Sequence, residues 1–103
     1  MVKRDFEILC LIKAATSDFD ISRGDLILMA SGIDAAEFMS VYSEFEMMTE
    51  AQVSGVMAEY KENFVRNAAM REELMLDIRR MFFADRKTMH LEEKMMKAIG
   101  ELF

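Results

Sequence analysis

Apolar residues recur at three- and four-residue spacing along almost the whole chain, and nowhere do they alternate over the length of a strand. That period gathers apolar side chains on one face of a helix and scatters them over both faces of a strand. No proline interrupts the pattern, and only four glycines occur in 103 residues. The spacing therefore predicts about six helices and no sheet. The first helix is expected from Asp5 to Ala15, with Phe6, Leu9, Cys10, Ile12 and Ala14 as its apolar stripe. Ile8 and Leu11 widen that stripe, so this helix should be buried on much of its surface.

Punctuation between the apolar runs sets the remaining helices. Ser22, with Asp25 three residues on, reads as an N-cap, and the helix it starts should stop at Ser31-Gly32. Asp34 should cap a third helix carrying Phe38, Val41, Tyr42 and Phe45. Thr49 and Gln52 have the spacing of a capping box and open a fourth, with Val53, Val56, Met57, Tyr60 and Phe64. Asn67 should cap a fifth, and a sixth should begin near His90. With 52% hydrophobic residues the chain can bury one core, so residues 1–103 read as a single compact all-α domain. Ile12, Leu28, Phe38, Val56, Ile78, Phe82 and Ile99 are its expected buried members.

A cassette occurs twice. Ser17-Asp18-Phe19-Asp20-Ile21-Ser22-Arg23-Gly24-Asp25 matches Ala84-Asp85-Arg86-Lys87-Thr88-Met89-His90-Leu91-Glu92-Glu93 if the second loop holds one extra residue. Each has an acidic loop, then an apolar residue (Ile21, Met89) and an acid four positions later (Asp25, Glu93). The copies keep step downstream, with Ala30 and Gly32 against Ala98 and Gly100. The repeat predicts two pseudo-symmetric helix–loop–helix units.

These loops and their flanking helices resemble the TerB-like family, the helical domain associated with tellurite resistance. Phe83-Ala84-Asp85 followed by Met89 to Glu93 resembles the second copy of the family signature, and Asp18, Ile21 and Asp25 resemble the first. The chain departs from it in having Phe19 and Arg86 where the signature has glycine, and Asp25 where it has glutamate. The resemblance implies an all-helical domain, cytoplasmic or membrane-peripheral, with a role in stress response or anti-phage defence. It also implies divalent-cation binding at the acidic loops and no enzymatic chemistry.

Charge is unevenly spread. Net charge is -6, and between Lys13 and Lys61 the only basic residue is Arg23, against nine acids from Asp18 to Glu59. From Asn63 onward eight basic residues face seven acidic ones. The acidic half should repel nucleic acid and attract cations or basic protein surfaces. Glu37, Glu44 and Glu46 are the expected partner-binding residues. The stretch from Leu26 to Phe45 has the outline of a helix-turn-helix, but its second helix carries Asp34, Glu37 and Glu44 and no Lys or Arg. Such a helix cannot approach phosphates favourably, which argues against direct nucleic-acid binding.

A cation site could join Asp18 and Asp20 to Asp85 and Glu93 if the two loops meet. An EF-hand is excluded, because Arg23 and Met29 stand where it needs Gly and Glu. Capping is the competing role for these aspartates. His90 has no nucleophile beside it, and Cys10, the only cysteine, lies in an apolar run and can form no internal disulfide. The twelve methionines suit a core or an adaptable groove better than a metal-thioether site. No apolar run approaches the roughly 20 residues that span a bilayer, so no membrane insertion is expected and the cytoplasm is the default location. The reading is a non-enzymatic protein-binding module with no organic cofactor, compatible with a homodimer. Its alternatives are an acidic, phage-encoded inhibitor that mimics nucleic acid and a divalent-metal-sensing stress protein.

Overall fold

The capping residues turn out to set the helix boundaries. The computed structural model of the chain describes residues 3–19, 21–29, 33–81 and 89–102. The described residues form six helices: α1 (Lys3–Asp18), α2 (Arg23–Met29), α3 (Ala35–Met47), α4 (Glu50–Phe64), α5 (Ala68–Met81) and α6 (Met89–Glu101). No strand occurs among the described residues, and the fold is all-α. Asp34 Oδ1 accepts from the Ala36 and Glu37 amides at 2.9 and 3.1 Å. Thr49 and Gln52 close the capping box, each side chain accepting from the other's backbone amide. Ser22 accepts from the Asp25 amide, and Asn67 from the Met70 amide. These bonds satisfy amide donors that a helix start leaves without an intrahelical partner.

Helix α1 is the axis of the molecule and packs against α3, α4, α5 and α6. Phe6, Ile8, Leu9, Cys10, Leu11, Ile12, Ala14 and Ala15 are all buried, so the widened stripe encloses most of the helix. Around it lie Leu26, Phe38, Val41, Tyr42, Val53, Met57, Leu74, Ile78, Met95, Met96 and Ile99 in one continuous core. Rings interlock at the α1–α4 contact: Phe6 lies 6.3 Å from Tyr60 and 5.8 Å from Phe64 between centroids. The radius of gyration is 12.7 Å, close to the ~13 Å expected of a compact globule of about 100 residues.

Four of the expected core residues, Ile12, Phe38, Ile78 and Ile99, are buried. Val56 is only half-buried, because it stands at the rim of the α4 stripe centred on Val53 and Met57. The Leu28 side chain and Phe82 lie outside the described residues. The first loop is shorter than expected. Helix α1 continues through Ser17 and Asp18, and the Ile21 amide then bonds the Ala15 carbonyl at 3.0 Å. Phe19 and Ile21 pack against the core and anchor the loop by apolar contacts. Most of the second cassette falls on residues 82–88 and on the side chains of 89–92, outside the described residues, and the expected pseudo-symmetry rests there.

Candidate functional site at the acidic corner

Helix α3 stops because Met48 turns extended, at φ -93° and ψ 142°, with its amide bonded to the Phe45 carbonyl. Thr49 then caps α4, so two residues make the whole corner. Phe45 and Met48 turn toward the core, and with Val53 they floor a cleft of about 210 Å³. Lys13, Glu46 and Glu50 line the same cleft. At about 100° per residue, Glu44 and Glu46 stand about 160° apart around α3, on opposite flanks of its buried stripe. Met47 lies between them on the outer side and is 86% exposed, the most exposed large apolar residue described. Glu44, Glu46 and Glu50 are exposed around it.

The three expected partner-binding residues therefore do not form one face. Glu44 and Glu46 bracket Met47, but Glu37 lies nearly two turns away and is half-buried. Its carboxylate pairs with Arg4 Nε at 2.7 Å, tying α3 to α1. Asp34 is committed to its cap. The acidic stretch is thus broken at Asp34 and Glu37 rather than forming a continuous stripe.

The expected cation site is not assembled from what is described. The Asp18 side chain, Asp20 and Asp85 lie outside the described residues. Glu93 is exposed on α6 and lines a groove against α5. Among the described residues no three His, Cys, Asp or Glu side chains are placed to hold a metal ion. The His90 side chain is also outside them.

That α5–α6 groove is open to solvent and spans about 500 Å³. Arg71, Met75 and Arg79, four residues apart, form its α5 wall. Met96 and Lys97 lie opposite, between Glu93 and Glu101. Arg71 Nη2 donates to the Gly100 carbonyl at 3.1 Å, and a Cβ at Gly100 would stand 3.3 Å from that nitrogen.

Sequence reasoning overlooked Glu7. It sits in the apolar run of α1, is 5% exposed, and one of its two carboxyl oxygens, Oε2, is buried with no hydrogen-bond partner among the described residues. Burial first, then the negative charge of Asp77 and a hydrogen bond with it, push the carboxyl up to about 7 against the pull of Lys3 and Arg4. Burial works against the Lys3 ammonium, but Glu73 at 3.3 Å and Asp77 at 3.4 Å outweigh it and raise its pKa. Arg80 reaches Asp77 at 3.7 Å. Burial, and then the nearby Glu7, push the Cys10 thiol up, which makes it inert at neutral pH. An acid between Phe6 and Ile8 in a helix apolar all round was the available signal for Glu7.

No protein-family model, curated protein or solved structure matches the chain.

Proposed function

We propose that the chain is a small acidic protein-binding module, without catalytic activity, that receives a basic amphipathic partner at the α3–α4 corner. The observation that carries this reading is Met47, 86% exposed between Glu44 and Glu46 and next to the cleft floored by Phe45, Met48 and Val53. An exposed methionine is an adaptable apolar contact, and carboxylates around it favour a cationic rim on the partner. Burying such a side chain supplies about 1.5–3 kcal/mol, while the charges mainly set association rate and specificity. Glu7 does not argue for an enzyme. Although its pKa suits a general base, it is enclosed in the α1–α5 seam and lines neither the corner cleft nor the α5–α6 groove.

The TerB-like resemblance supports the same class of role, a cytoplasmic stress-response or anti-phage module modulated by a divalent cation at the acidic loops. The nucleic-acid-mimic reading draws less support, because Asp34 and Glu37 are engaged within the fold.

The test is a labelled synthetic helix of alternating Lys and Leu faces, titrated at low and high salt. Binding should weaken with salt. The triple variant Met47→Ser, Glu44→Gln, Glu46→Gln should lose at least about tenfold in affinity, the equivalent of ~1.4 kcal/mol. Unchanged affinity at low salt would overturn the proposal.

A further inference from the structure

The acidic corner has a complement on the same chain. The α5–α6 groove has two methionines in its walls, Met75 half-buried and Met96 buried, and three cations at its edge, Arg71, Arg79 and Lys97. Two of those cations remain available. Arg71 is occupied by the Gly100 carbonyl, but Arg79 and Lys97 make no ion pair with another described residue. Glu93 and Glu101 also line the groove, leaving it a net excess of one positive charge, three cations against two acids. The corner presents the inverse: one projecting methionine near three acids, Glu44, Glu46 and Glu50, against one cation, Lys13, in the adjoining cleft. The groove, at about 500 Å³, has room for an inserted methionine side chain. No residue lines both the groove and the corner cleft, so one molecule can offer both at once.

We propose that a second copy of this chain is a partner of the corner, with Met47 of one copy seated over Met75 and Met96 of the next. The excess acidic charge of the corner then meets Arg79 and Lys97. The inference rests on the reading of the corner as a binding surface. Because the two patches differ, the contact is head-to-tail. Repeated, it closes into a ring or grows into a chain, instead of forming a two-fold dimer. Apolar insertion holds the contact and the charges orient it, so association weakens as salt screens the rim.

Sedimentation velocity on the full chain tests this, at concentrations up to about 1 mM in low and high salt. The average mass should climb with concentration at low salt and fall back toward the monomer at high salt. A corner variant (Met47→Ser, Glu44→Gln, Glu46→Gln) and a groove variant (Arg79→Ala, Lys97→Ala) should each stay monomeric. Mixed together they should form a complex of one of each and nothing larger, since each keeps one intact patch. Met47→Ser alone, at so exposed a position, guards against loss of the fold and should reduce association on its own. A parent chain monomeric throughout, or a corner variant that associates as the parent does, overturns the inference. If the parent stays monomeric yet binds the Lys/Leu helix through its corner, the second-copy inference fails and the earlier reading stands. If the corner variant binds that helix like the parent, the earlier reading fails as well.

Discussion

Replacing Glu7 by glutamine should stabilise the protein, mainly at neutral and alkaline pH. The parent carboxyl titrates at about 7 in the fold, against an ordinary 4.5. The native state therefore holds a proton that the unfolded chain has released, and stability falls as pH rises through that interval. The penalty is absent below about pH 4.5 and complete above about pH 7. At roughly 1.4 kcal/mol per pH unit it amounts to about 3 kcal/mol. Glutamine keeps the shape and the capacity to hydrogen-bond Asp77 but carries no charge at any pH. At pH 5, just inside the interval, Glu7→Gln should lead the parent in urea by less than about 1 kcal/mol. At pH 8.5 the variant should be more stable by about 2–3 kcal/mol, a midpoint shift of about 1–2 M for a typical dependence on urea. The two proteins differ only at position 7, so the change in the gap between pH 5 and pH 8.5 reports the ionisation of Glu7 in its setting. An equal gap at both pH values, or a variant weaker than the parent at pH 8.5, would refute the argument.

Two further outcomes follow from the packing and the caps. Phe6→Ala removes a fully buried ring that contacts Tyr60 and Phe64, and should lower stability by about 3–5 kcal/mol; Glu44→Ala on the exposed flank of α3, tested alongside by thermal melting, should change it by less than about 0.5 kcal/mol. Thr49→Ala breaks the capping box at the corner and should cost about 1 kcal/mol; hydrogen exchange should show the loss concentrated in the first turn of α4.

The helices were legible because their determinants are local. Asp34, Thr49, Ser22 and Asn67 act on amides two or three residues away, so spacing alone locates them. The burial of α1 was legible from its widened stripe. What escaped depends on which helix meets which. Glu37 and Glu44 look equivalent along the sequence, yet Arg4, thirty-three positions before Glu37, engages one of them. Glu7 acquires its character first from burial and then from Asp77, on a helix that α1 meets only in the folded chain. The exposure of Met47 was equally hidden, since a methionine amid Phe45 and Met48 reads as core until the helix rotation is counted. Phe19 and Ile21 show the converse, apolar residues in an acidic run that tie the loop down.

The central position of α1 has a consequence for biosynthesis. This helix leaves the ribosome before the helices that cover it, carrying an apolar surface on nearly every side, and one of them, α6, follows far along the chain. Seventy residues lie between Asp18, its final residue, and Met89, where α6 begins. At about 5–20 residues per second, α1 waits roughly 4–14 s for that cover. During this interval the nascent segment is a natural client for a chaperone that shields greasy helices, and slow codons within the stretch would prolong its exposure.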